Sequence, residues 1–309
     1  MTEAVRPRIE LNQAAVEHGY RNCRMKVRKV FHPYLWVAGN LPNNKKKSLE
    51  TVLWHLIQCV DLFDLESPNH LPLDVWSDVR ADLSDAFLDQ FTSEELAALV
   101  DTVRKHNIPK QFLFDMLDGA DFWIRDRRFG TYEELKVFAY RMGGAPLLAM
   151  VPILGITKPG YEVFAIRCGQ AMFLTQLLAN CVQNLKHNKS FLAVEDLDDC
   201  GIVIHRLKLR KGDENWTNLV RLYGSRIEKL FYEGGELINH LDFDGVRTIK
   251  SILAIHWKML MNMTVDPNRA LSEEGVLSKS ELFLLRSRHL MGMEGNIPFL
   301  PENSGQTHH

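Results

Sequence analysis

The sequence predicts an all-α protein, folded as a single large helical bundle. Three observations carry that expectation. Apolar residues recur with a helical period in one segment after another. Ser, Thr and acidic residues stand where helix N-termini need caps. Strand evidence is confined to Ile202-Val203-Ile204, which no hairpin turn flanks. The 309 residues are 46% apolar and 25% charged, a globular balance long enough to bury a large core. With 19 Gly and 12 Pro, the chain is too poor in both for a collagen-like or linker-dominated architecture.

Taken in order, Leu41-Pro42 precedes a helix that runs to Val60-Asp61-Leu62-Phe63-Asp64. Thr92 with Glu95 reads as a capping box ahead of Leu96, Leu99, Val100 and Val103. Thr131 with Glu134 repeats the device ahead of Leu135, Phe138 and Ala139. Pro159-Gly160 opens a mostly apolar run from Tyr161 to Leu185, and a helix apolar on nearly all sides belongs inside a bundle. Helical patterns follow from Asn215 to Ile238 and from Val246 to Met263. Breaks are expected near Pro42-Asn43-Asn44, Ser67-Pro68, Ile108-Pro109, Pro159-Gly160 and Asp266-Pro267. One domain over residues 1–300 and a flexible polar tail over 301–309 are expected.

Charge and composition exclude some functions. Lys plus Arg (37) nearly balances Asp plus Glu (39), so the net charge of −2 gives no reason to expect nucleic-acid binding. The five cysteines lack a C-x-x-C pair and read as reduced thiols of a cytoplasmic protein. The N-terminus has no apolar core of a signal peptide. The apolar stretch Ala145 to Ile156 is short and interrupted by Pro146 and Pro152, so no integral membrane segment is expected.

The chemistry starts at Asp61 and Asp64. Three apart, they share one face of a helix. Two carboxylates so placed can hold magnesium, a hard cation that bridges to phosphates. The bland reading is a solvated acidic helix end. Arg24, Lys26, Arg28 and Lys29 form one basic cluster and Lys45, Lys46 and Lys47 another; both read as solvated faces. Tyr34, Trp36, Trp54, Phe63, Trp123 and Phe173 are aromatic rings able to line a cation pocket, against the plainer reading of core packing. His55 reads as a core or surface histidine. His256 has the better claim to base chemistry.

Several blocks together resemble the squalene/phytoene synthase family. Leu41-Pro42 and the helix ending in Asp61 and Asp64 are similar to that family's Leu-Pro, helix and D-D-x-x-D, with Val60 at the first aspartate. Arg127-Arg128-Phe129-Gly130-Thr131-Tyr132-Glu133-Glu134-Leu135 resembles R-R-Y-x-T-F-E-E-L. Ala139-Tyr140-Arg141-Met142-Gly143-Gly144 resembles C-Y-x-V-A-G. Gly169-Gln170-Ala171-Met172-Phe173-Leu174-Thr175-Gln176-Leu177-Leu178 resembles G-R-A-L-Q-L-T-N-I-L. His256-Trp257-Lys258-Met259-Leu260 is a weaker echo of Y-x-x-I-L. The departures matter as much. The family's second motif, D-x-x-x-D, becomes Asn180 and Asn184, so both carboxylates are amides. Gln176 stands at the asparagine of T-N-I-L, and Trp123 replaces an aspartate.

The resemblance implies the all-α isoprenoid-synthase fold and a reaction in which magnesium helps an allylic prenyl diphosphate ionise. Asp61 and Asp64 would hold the metal, with Arg141 binding the diphosphate as a third catalytic residue. Asn180, Asn184, Lys189, Tyr140, Phe63, Trp123, Tyr34 and Gln176 would contact substrate, with Lys186 a further candidate cation. Because one wall has lost its carboxylates, the leading expectation is prenyl transfer to an aromatic, carbazole-like acceptor in secondary metabolism. Two other readings stand beside it: a head-to-head squalene- or phytoene-type synthase, and a non-catalytic assembly protein of the same fold.

Overall fold

The computed structural model describes residues 12–31, 35–61, 72–125, 128–186, 191–203, 212–272, 275–292 and 297–301. Among them there are helices and turns and no strand, only an isolated bridge between Ile156 and Leu241. Ile202 and Val203, the described part of the strand considered at Ile202-Val203-Ile204, are irregular, and Ile204 lies outside the described residues. The chain divides into two compact units: residues 1–127 with 152–154, and residues 128–151 with 155–309.

The first unit holds α1 (Gln13–Phe31), α2 (Asn43–Asp61), α3 (Pro72–Ala86), α4 (Glu94–Lys105) and α5 (Gln111–Ile124). The expected start of α4 is off by one residue. Ser93, not Thr92, is the N-cap, and its hydroxyl accepts from the Leu96 amide. α1 crosses α4 closely, because Gly19 lies directly on the Glu94 carbonyl, where any Cβ would collide. Leu99, Ala98 and Val100 of α4 and Cys23 and Val27 of α1 are buried there. The Asn43 and Pro109 breaks fall where the turn residues place them.

The second unit holds α6 (Tyr132–Ala139), a π-helical turn (Tyr140–Gly144), most of α7 (Ala145–Leu154), α8 (Glu162–Ala179), α9 (Cys181–Lys186), α10 (Val194–Asp199), α11 (Glu214–Gly234), α12 (Phe243–Val265) and α13 (Lys279–Leu290). Thr131 caps α6 as expected, accepting from the Glu134 amide, but Glu134 reaches back to the Gly130 amide rather than to the cap residue. The apolar run from Tyr161 does not form one helix. It breaks at Asn180, where α8 ends and α9 begins. α8 is central: α11 packs on it through Gly234, whose carbonyl accepts the Cys168 thiol at 3.2 Å. Trp216, Tyr223, Ile227 and Phe231 of α11 are fully buried. Helix α6, the π turn and α7 form one continuous helical run, 132–154, apolar and long enough to cross a membrane. Its most apolar window is 78% buried inside the protein, as a core helix is.

Candidate functional site

In the second unit, the site begins with a close backbone crossing. A Cβ on Gly143 would overlap the Gly169 carbonyl, and one on Gly169 would overlap that of Gly143. Glycine at both positions lets the π turn lie directly on α8. The wider π turn, closed by the Ala145 amide on the Tyr140 carbonyl, rotates Tyr140 and Arg141 relative to an α-helix. Both side chains are half-buried. The Gln170 amide donates to the Lys136 carbonyl at 3.0 Å and ties α6 to the same level of α8. Phe173 meets Phe138 edge-on at 5.4 Å.

From there α8 leads into a row of amides. The Asn180 amide N–H bonds to the Gln176 carbonyl, and that of Asn184 to the Asn180 carbonyl, both at 2.9 Å. The helical ladder therefore continues through the break, and Gln176, Asn180 and Asn184 stay one turn apart. Asn180 is exposed; Gln176 and Asn184 are half-buried. None of the three side chains bonds to another described residue. Between Glu162 and Glu195 the chain has no carboxylate at all. This wall offers neutral oxygens and N–H donors, which do not fit a magnesium cluster that draws its affinity from anionic oxygens. Among the described residues no group of three His, Cys, Asp or Glu could hold a metal ion.

The block around Thr131 is pinned from the opposite side. The Val194 and Glu195 amides donate to the Phe129 and Gly130 carbonyls at 2.9 and 3.1 Å. The Tyr132 amide donates to the Glu195 carboxylate at 2.6 Å. Arg226 of α11 bridges the set: it donates to Asp196 at 2.7 Å and its guanidinium lies 4.0 Å over the Tyr132 ring. Asp196 is only 2% exposed, so Arg226 compensates a buried charge. Burial pushes the Tyr132 hydroxyl up to about 12. The Tyr223 hydroxyl accepts from the Ala193 amide at 3.0 Å. Phe191 stacks on Phe138 at 6.1 Å. Sequence reading missed Asp196, Tyr223 and Arg226. Asp196 stands in an acidic surface-like run, and no local spacing links it to a residue thirty positions on.

In the first unit, Asp61 is the last residue of α2, placed by its backbone alone. Asp64, Phe63, Tyr34 and Lys189 lie outside the described residues. Trp123 sits in the last turn of α5 and Lys186 ends α9, each described by backbone only. Asp121, beside Trp123, pairs with Arg125 at 2.7 Å. The basic clusters are not simply solvated faces. Lys45 donates to the Leu154 carbonyl at 2.9 Å; Lys47 pairs with Glu17 and lies 4.4 Å over the Tyr20 ring. Arg24 lies 3.5 Å from Glu50, a carboxylate just 3% exposed that burial holds above its usual range. Lys26 pairs with Glu95 and sits over buried Trp54, while Trp36 is half-buried in a short 3-10 turn. His55 is a core residue: its Nε2 bonds the Leu113 carbonyl, and burial lowers it to about 4. His256 in the second unit donates from Nδ1 to the Ile252 carbonyl, and burial holds its pKa below the usual histidine value.

Helices packed in two compact units, a π turn on a glycine crossing and a chain of polar residues along the central helix of the second unit define an all-α protein of the isoprenoid-synthase type. The squalene/phytoene synthase family model matches residues 34–279, and the chain belongs to that family. Phytoene synthase 1 of Arabidopsis thaliana is 25% identical over 218 residues, 67% of this chain but 50% of the plant protein. The 15-cis-phytoene synthase of Synechococcus elongatus is 21% identical over 80% of this chain and 84% of its own length. The chain thus spans about half the length of the plant relatives it matches. A dehydrosqualene synthase crystal structure superposes with a TM-score of 0.79 at 18% identity, covering 91% of this chain and 98% of that one. Squalene synthase HpnC of Alicyclobacillus acidocaldarius gives 0.74 at 16% identity, covering 82% and 95%. At these identities the superpositions establish the fold.

Proposed function

We propose that the protein is a prenyltransferase of the squalene/phytoene type, joining two prenyl diphosphates rather than prenylating an aromatic ring. The relatives named above carry phytoene- or squalene-synthase names, and none supports an aromatic or carbazole acceptor. The observation that carries the reading is the amide row on α8 and α9, continuous with the block that the π turn locks in place. Each amide presents two N–H donors, which bond diphosphate oxygens directly. Arg141 supplies the charge that the amides lack. Asp61 and Asp64 remain the carboxylates able to hold magnesium, whose contribution would be to neutralise the leaving diphosphate.

The test is calorimetry with farnesyl and geranylgeranyl thiodiphosphate, with and without magnesium, followed by product analysis with the true diphosphates. Binding and a head-to-head hydrocarbon are expected. Dimethylallyl diphosphate with an aromatic panel is the contrasting arm, and prenylated aromatics in that arm would overturn the choice of acceptor. Absence of diphosphate binding under every condition would point instead to a non-catalytic member of the family.

A further inference from the structure

The last described segment, residues 297–301, is tied to the second unit. Chain ends fray unless something holds them down. Here the Leu300 amide donates to the Ile297 carbonyl at 3.0 Å, and Ile297, Phe299 and Leu300 are all buried. The Phe299 ring sits among three others: Phe231 and Trp257, each at 5.0 Å, and Tyr232 at 6.1 Å. Phe231 and Tyr232 belong to the end of α11 and Trp257 to α12, so one ring packs against two helices. The backbone of the segment packs as closely. The Phe299 carbonyl lies directly on Gly235, where any Cβ would collide with it.

Gly235 and its neighbour Gly234 have right-handed helical φ values, −58° and −90°. Neither position needs glycine for its backbone angles; each needs it because something lies against it. Gly235 meets the segment 297–301. A Cβ on Gly234 would stand 2.7 Å from the Cys168 sulfur and 2.8 Å from the Cys168 amide nitrogen of α8. The next residue of α8 is Gly169, which crosses Gly143 of the π turn. From Phe299 to the turn that carries Tyr140 and Arg141, each contact is thus made at a glycine, with nothing larger than a thiol between the backbones. Contacts this close cannot be absorbed by a change of rotamer; the parts move together or separate. We propose that residues 297–301 are a positioning strap. With Phe299 seated among the three rings, the end of α11 is pressed on α8, and α8 in turn holds the π turn. Phe299 is a positioning residue, acting on Tyr140 and Arg141 through Gly235, Gly234, Cys168 and Gly169. That Tyr140 and Arg141 meet a prenyl diphosphate rests on the proposed reaction; that the strap holds the turn does not.

Hydrogen exchange of the full chain, read by mass spectrometry at a temperature where every variant is folded, tests it. Phe299→Ala should speed exchange of the amides at residues 140–145 by about tenfold or more. Helices α4 and α13 should exchange as in wild type. Phe299→Leu, which refills the slot with apolar bulk, should recover most of the protection. Gly235→Ala breaks the same contact from the other side, so the double variant should be no worse than the more severe single one. Affinity for farnesyl thiodiphosphate, by calorimetry, should fall about tenfold in Phe299→Ala and recover in Phe299→Leu. A wild type that binds no thiodiphosphate sinks the proposed reaction and not the strap, which exchange then decides alone. Four results would overturn the strap: protection at 140–145 that survives loss of the ring, exchange that quickens equally in every helix, effects of Phe299→Ala and Gly235→Ala that add, or an affinity present in wild type and unchanged in Phe299→Ala.

Discussion

Glu281 shows how one residue's surroundings set its chemistry. Burial alone would raise its carboxyl, but hydrogen bonds from Ser278 and Asn262 and the Lys258 ammonium pull it down to about 2. A carboxyl depressed in the folded state stabilises that state fully above its unfolded pKa and loses the contribution as pH falls through the folded one. Glu281→Gln should therefore cost on the order of 2 kcal/mol at neutral pH. Below about pH 4 the gap to wild type should narrow, closing near pH 2. Urea melts at several pH values would show it, and a pH-independent gap would refute the assignment. At the amide row, Asn180→Asp with Asn184→Asp restores carboxylates without changing side-chain size. Magnesium-dependent binding of a prenyl thiodiphosphate should strengthen by roughly tenfold, read by calorimetry. An equal gain without magnesium would mean that the row does not face the diphosphate.

Among the elements, the glycine crossing between the π turn and α8 is the most exacting. Gly169→Ala should destabilise by roughly 1–3 kcal/mol or more, because neither backbone can retreat from the other. Thermal unfolding should show this loss, and Gly160→Ala is no control, since its positive φ strains any side chain by itself. Lys136→Ala makes a fairer comparison: its carbonyl, not its side chain, takes Gln170, so only the Glu133 pair is lost. Helices α2, α4, α6, α8, α11 and α12 and most breaks were legible because capping residues, proline and apolar period act over a few residues, whereas α1, α3, α5, α7, α10 and α13 carried no such expectation. The start of α4 slipped by one because Thr92 and Ser93 are adjacent and only the backbone geometry selects between them. The break at Asn180 was not legible. The apolar pattern runs straight through it, and an asparagine ends a helix only where its surroundings favour the turn.

For the whole molecule, the cysteines give a simple check. Cys23, Cys59, Cys168 and Cys181 are buried and Cys200 is partly exposed. Burial pushes Cys23, Cys168 and Cys181 up to about 12. A thiol reagent should thus titrate about one group in the native protein and all five after denaturation. Rapid native reaction of several thiols would mean a looser core. The all-α class, the family blocks and the exchange of carboxylates for amides were all present in the chain itself, since residue type and local period need no partner to be read. What tertiary structure alone decided was which distant groups meet: Gly143 on Gly169, Arg226 between Asp196 and Tyr132, Phe299 on Gly235. Such pairings arise from helix packing across dozens of residues, where local pattern carries no record of who the neighbour is.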